Sequence, residues 1–150
     1  MEICRAISFI FCLLTAPATG AQTPEIQHQG KLRYVSGGIG INERRELEKL
    51  AADFDIKVIL STDTGHFLGG GQIKVRDATG ALLLNTTSNG PIFLLDVPKG
   101  AYVIEAMIGD RAQAMRFETS DTSNPQSAYL TWRIDEPYRH YSDPAANAAL

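Results

Sequence analysis

Thiols are scarce in this chain of 150 residues: only Cys4 and Cys12 carry one, and both fall within the first 20. A product without that leader has no disulfide, no thiolate nucleophile and no thiolate metal site, so its stability must come from an apolar core. Histidine is nearly as sparse. His28, His66 and His140 lie far apart, without the close pairing that helps preorganise a metal site. No stretch reaches the roughly 20 apolar residues that a membrane-spanning helix needs. Nor is there a basic excess. The formal net charge of −3 argues against nucleic acid or anionic lipid as the main partner.

What the N-terminus does contain is an address. Arg5 sits in a short polar lead, Ala6 to Leu14 form an apolar run, and Ala18-Thr19-Gly20 or Thr19-Gly20-Ala21 offers small residues for cleavage. Residues 1–20 therefore read as a secretory signal peptide, and the product is expected in the periplasm or outside the cell. Cys12 makes a poor lipid-anchoring site, because Phe9-Ile10-Phe11 are bulky where a lipobox wants small side chains. Cleavage removes one acid, Glu2, and one base, Arg5, and leaves the net charge unchanged. The remaining chain, about 130 residues, is one domain's worth and enough to bury a core. Residues 21–35 are polar and patternless and read as a flexible leader, and 135–150 as a flexible tail. The folded domain is expected over 36–134.

Within that domain a helix comes first. Asn42 is a good N-cap, Glu43 sits where the helix dipole favours an acid, and Leu47, Leu50, Ala51 and Phe54 fall on one stripe at helical spacing. After it the period changes to two. Alternating apolar runs at 56–61, 72–76, 81–87, 92–96, 101–108, 111–118 and 128–134 are separated by Gly, Asn, Asp and Pro turns. Gly109-Asp110 closes the tightest of them. The pattern is mainly β: a seven-stranded antiparallel β-sandwich with one short N-terminal amphipathic helix.

Asp77-x-x-Gly80, the Asn89-Gly90 turn, and Val97-Pro98-x-Gly100-x-Tyr102-x-Ile104-x-Ala106 together resemble the carboxypeptidase regulatory-like domain, a prealbumin-like seven-stranded sandwich. Pro98 fixes one turn angle, Gly100 supplies an unusual one, and Tyr102 then enters the next strand facing the core. The resemblance covers roughly residues 55–118. It departs at Gly69-Gly70-Gly71-Gln72, where the family has a small pair and a Gly-Ala step. The Ser36-Gly37-Gly38-Ile39-Gly40 lead-in with its helix also looks like small secreted proteobacterial proteins of this type, which implies the periplasm and no particular chemistry.

Candidate chemistry is thin. The same fold includes 5-hydroxyisourate hydrolases, and Leu60-Ser61-Thr62 is similar to their opening, yet Asp63 stands where they place a His. Near the tail, Tyr138-Arg139-His140-Tyr141 replaces their terminal Tyr-Arg-Gly-Ser. A carboxylate does not replace an imidazole that exchanges a proton near neutral pH. His66 with Asp63 is the one pair worth naming for a small hydrolase or metal-dependent enzyme. Gly37-Gly38-x-Gly40 before a helix could cradle an anion, but no Lys-Ser/Thr follows. Ser61, Ser88 and Ser142 lack a nucleophile elbow. Asn85-Thr86-Thr87 matches a glycosylation sequon that a bacterial chain would leave idle, and the mixed charges of the helix read as a solvated face. No catalytic residue, cofactor or metal is assigned. The expected role is contact: a non-catalytic accessory or structural module of the cell envelope, binding another envelope protein or a glycan. Its candidate surfaces are the His66-Phe67 loop, Tyr138 and Tyr141 in the tail, and, if the sandwich leaves it uncovered, the stripe of Leu47, Leu50 and Phe54.

Overall fold

The computed structural model describes residues 24–120 and 125–133. They are mainly β, in two sheets with one short helix. The strands are β1 (Gln27–Gln29), β2 (Leu32–Gly37), β3 (Ile56–Thr62), β4 (Gln72–Asp77), β5 (Leu82–Thr87), β6 (Ile92–Asp96), β7 (Gly100–Ile108), β8 (Arg111–Thr119) and β9 (Gln126–Trp132). Helix α1 (Ile41–Leu50) and a 3-10 turn (Ala51–Asp53) lie between β2 and β3. The first sheet runs β1-β2-β6-β3-β9 and the second β5-β4-β7-β8.

The count among the described residues is nine strands rather than the expected seven, because the stretch expected as a flexible leader contains β1 and most of β2. Gly30, at φ 59°, turns one into the other. The second then pairs with β6, Tyr34 opposite Leu95 and Gly37 opposite Ile92. β2 is buried on both faces, Leu32 and Tyr34 on one and Val35 on the other, so it lacks the alternation that betrays a half-buried strand. A second correction concerns direction. β3 and β9 pair in parallel, Ile56 opposite Gln126 through Thr62 opposite Trp132. The chain reaches β9 by crossing over from the other sheet after β8, so no hairpin imposes the antiparallel sense.

The two sheets share one core. Ile56, Val58, Leu60, Phe93, Leu95, Leu130 and Trp132 from the first meet Ile73, Val75, Leu84, Tyr102, Ile104 and Phe117 from the second. The first sheet is also covered on its outer side. Leu47 of α1 and Phe54 just past the 3-10 turn pack with Val35, Ile92 and Leu94, and Ile26, Leu50 and Ala51 fill the margin. This explains the unbroken apolar run Ile92-Phe93-Leu94-Leu95: β6 has no solvated face on which polar side chains could alternate.

The helix also starts earlier than Asn42 suggests. Gly40 is the N-cap and makes no side-chain cap. Instead, Glu43 reaches back to accept a hydrogen bond from the Ile39 N–H at 3.2 Å, the residue before the N-cap, where a capping box would use the N-cap N–H itself. The stripe expected as a docking surface is therefore answered within the chain, since Leu47 is fully buried and Phe54 nearly so. Leu47→Ala should destabilise the fold by about 2–5 kcal/mol. Ile41→Ser, one residue into the same helix but exposed, should fall within about 0.5 kcal/mol of wild type. Urea unfolding of both variants checks this, and near-equal midpoints would mean that α1 is not docked.

Candidate functional site

Backbone packs directly on backbone at one end of the first sheet, because glycine occupies the contact positions. A Cβ on Gly90 would collide with the backbone of Gly37, and Gly69 lies alongside Gly90 at van der Waals distance. Hydrogen bonds fix the arrangement: Ser88 N–H donates to Gly71 O at 2.8 Å, Gly70 N–H to Ser88 O at 3.0 Å, and Asn89 N–H to Ser36 Oγ at 3.0 Å. The buried Ser88 hydroxyl donates to Gly90 O at 2.5 Å. These contacts hold still two segments that carry large apolar side chains into water.

The first is Gly38-Ile39-Gly40-Ile41, where Ile39 is 73% and Ile41 66% exposed. The second is the β3–β4 loop. It folds back along β3 through Thr62 N–H to His66 O at 2.7 Å and Leu68 N–H to Leu60 O at 3.0 Å, and it presents Phe67 at 47% exposure. Arg44 joins the two. Its guanidinium donates to Gly38 O from Nε at 3.3 Å and from a terminal nitrogen at 3.2 Å, and it lies 4.4 Å from the centre of the Phe67 ring. That cation–π contact makes one surface of three apolar side chains around a fixed arginine. The described chain also enters and leaves at this end. β1 runs back along β2 with Gln27 opposite Tyr34, and Trp132 lies opposite Thr62.

His66 and Phe67 thus lie where the sequence suggests, on an exposed loop. His66 donates its backbone N–H to Thr62 Oγ1 at 2.9 Å, and Asp63 faces Arg133 at 3.5 Å, so the His66-Asp63 pair is not preassembled. Tyr138 and Tyr141 lie outside the described residues. The helix start is no vacant anion cradle, because the Glu43 carboxylate already sits against it. Ser61 shares a 3.4 Å contact with Thr131. Among the described residues no three His, Asp or Glu side chains converge as metal ligands would. Ile39 and Ile41 were not legible as site residues. Their only signal is a pair of isoleucines among glycines, just outside the apolar stripe of the helix.

The opposite end is built from charge. Arg33 donates from Nε to Asp96 at 3.0 Å and from a terminal nitrogen to Asp53 O at 2.6 Å, and it lies 4.5 Å from the centre of the Phe54 ring. Asp55 accepts the Val97 N–H at 3.0 Å. Burial, then the neighbouring Asp55 carboxyl, raises Asp96 above the ordinary carboxylate range, with Arg33 opposing. Burial and the carboxylates of Asp77 and Asp55 likewise raise Tyr102, whose hydroxyl donates to Pro98 O at 2.7 Å. Asp77 goes the other way: chiefly the Thr79 hydroxyl, with backbone N–H groups, holds it below its usual value. A shallow hollow of about 220 Å³ between Arg76, Tyr102, Val103 and Arg116 opens on the second sheet. Its arginines are already engaged, Arg76 with Gly80 O at 3.1 Å and Arg116 with Glu118 at 3.6 Å.

Compared with protein families, with curated proteins and with solved structures, the chain matches none.

Because Asp96 is raised in the folded state, its contribution to stability is complete below the unfolded carboxylate value and is lost as pH rises through its folded value. Asp96→Asn should therefore melt higher than wild type at neutral pH, and the gap should close in acid, where wild-type Asp96 is itself neutral. Thermal unfolding across that range checks it. A variant that is less stable at neutral pH would show that the Arg33 contact outweighs the crowding by Asp55.

Proposed function

We propose that this chain is an exported β module of the carboxypeptidase regulatory-like kind that works by contact, binding another protein of the cell envelope. The observation that carries this reading is the end surface of Ile39, Ile41 and Phe67 around Arg44. Large apolar side chains grouped in water on a fixed backbone are the usual mark of an interaction site. Burying a large apolar side chain contributes about 1.5–3 kcal/mol, so these three would anchor a contact whose cost of association the surrounding interface must also help to offset.

The family reading is supported by where its marker residues fall. The Asp77–Gly80 turn joins β4 to β5, with Asp77 accepting from the Thr79 and Ala81 N–H groups. The Pro98 corner carries the chain from β6 in one sheet to β7 in the other, and Tyr102 enters the core directly after it. β3 to β9 make seven strands, to which β1 and β2 are an N-terminal addition. Export rests on the leader and its small-residue cleavage site.

Between a protein and a glycan, the side chains favour protein. Sugars stack on flat aromatic faces, whereas Ile39 and Ile41 are aliphatic and Arg44 covers one face of the Phe67 ring. A small hydrolase or metal-dependent enzyme built on His66 gains no support from a loop in which Asp63 faces Arg133.

The test compares wild type with the triple variant Ile39→Ser, Ile41→Ser, Phe67→Ser, first confirmed to melt alike. Crosslinked capture from envelope extract should recover a defined protein with wild type and lose it with the variant. Recovery of the same proteins by both, or binding confined to a glycan array, would end this reading.

A further inference from the structure

The surface of Ile39, Ile41 and Phe67 has a segment of its own chain within reach. Leu60, Leu130 and Trp132 point into the core, so Ser61, Thr131 and Arg133 point to the opposite side of the first sheet, the side on which α1 lies. Phe67 bridges to Ser61, Ser61 lies opposite Thr131, and the two hydroxyls are 3.4 Å apart. Phe67, Ser61 and Thr131 therefore form one row, about 10 Å across at roughly 4.8 Å per spacing. Arg133 stands one step beyond that row and is held from two sides: its Nε lies 3.5 Å from Asp63, and its carbonyl accepts from Arg111 at 2.6 Å. The residues that follow it start within about 12 Å of Phe67.

The surface also has a particular chemistry to match. Its three large apolar side chains surround Arg44, whose guanidinium is held by a neutral carbonyl, Gly38 O, and by the Phe67 ring. No ion pair among the described residues includes Arg44, and the neighbouring Glu43 directs its carboxylate to the Ile39 N–H. A fitting segment therefore combines an acid with large apolar or aromatic groups. The chain after Arg133 begins with that combination: Ile134-Asp135-Glu136-Pro137-Tyr138-Arg139-His140-Tyr141. Tyr138 is five residues past Arg133, a reach of up to about 17 Å, which covers the distance to Phe67. The N-terminal side offers less, because Ala21-Gln22-Thr23, between the expected cleavage site and the first described residue, carry no large apolar side chain.

We propose that residues 134–141 fold back onto this surface, with Tyr138 and Tyr141 against Ile39, Ile41 and Phe67 and the Asp135-Glu136 acids beside Arg44, so that the tail is the occupant a partner must displace. What does the displacing rests on the reading of this surface as a protein-binding site. A segment joined this closely meets its site at an effective concentration on the order of millimolar, so a weak contact is enough to fill it. A partner then binds only the open fraction of chains, and its apparent affinity falls by that fraction. Until a partner with better contacts arrives, the three apolar side chains are kept out of water, which protects an exposed patch of this kind from non-specific association.

In a chain with Cys4 and Cys12 changed to Ser, two pairs of thiols report where the tail lies. One joins Ser142→Cys to Asn42→Cys, beside Ile41 on α1; the other joins Ser142→Cys to Gln113→Cys on β8, two residues from the Arg111 that bonds Arg133. Both partner positions are exposed. Under mild oxidation at low protein concentration, in variants that melt alike, the Asn42 pair should close about tenfold faster than the Gln113 pair. Adding Tyr138→Ser and Tyr141→Ser should erase the difference. Equal rates, faster closure at Gln113, or a difference that persists without the tyrosines would overturn the proposal. No partner enters this measurement, so its failure is distinct from failure of the capture experiment. For a protein recovered by that capture, Tyr138→Ser with Tyr141→Ser should tighten binding severalfold, and unchanged or weaker binding would show that the tail does not compete.

Discussion

The fold depends on β6 being buried on both faces. Phe93 and Leu95 look into the core between the sheets, while Ile92 and Leu94 look outward under Leu47 and Phe54. A strand without a wet face must be covered on both sides, and that requirement accounts for the order of elements around it. β2 flanks β6, and α1 follows directly after β2 so that its apolar stripe lands on the outward residues of both. The loops then inherit tight limits. Gly37 and Gly90 lie backbone to backbone where β2 meets the approach to β6, because a side chain there would push the two strands out of register.

The same constraint decides what the sequence could reveal. Strands with one wet face, such as β4 with Ile73 and Val75 inside and Lys74 and Arg76 outside, are legible from alternation. β2 was not: its Arg33 and Ser36 lie among residues buried on both faces, and a run of that kind is easily taken for irregular chain. The stripe of Leu47, Leu50 and Phe54 is legible as an apolar surface, but pattern alone does not say whether the surface is covered by the same chain or by another. The parallel placement of β9 is a long-range pairing with no local turn to announce it. His66 and Phe67 could be placed on an exposed loop, whereas their neighbours Ile39 and Ile41 join them only through folding, by way of the contacts Arg44 makes to Gly38 and Phe67.

The two ends of the sandwich are held by different physics, and that difference bears on function. At one end Arg33, Asp55 and Asp96 tie strand termini together through ionic and backbone hydrogen bonds, with Asp55 and Asp96 crowding one another. At the other, glycine contacts and two serine hydroxyls give rigidity, Arg44 lies against Phe67, and Ile39 and Ile41 are left largely in water. Rigidity without self-satisfaction suits a surface meant for something else, because little conformational entropy remains to be lost on binding.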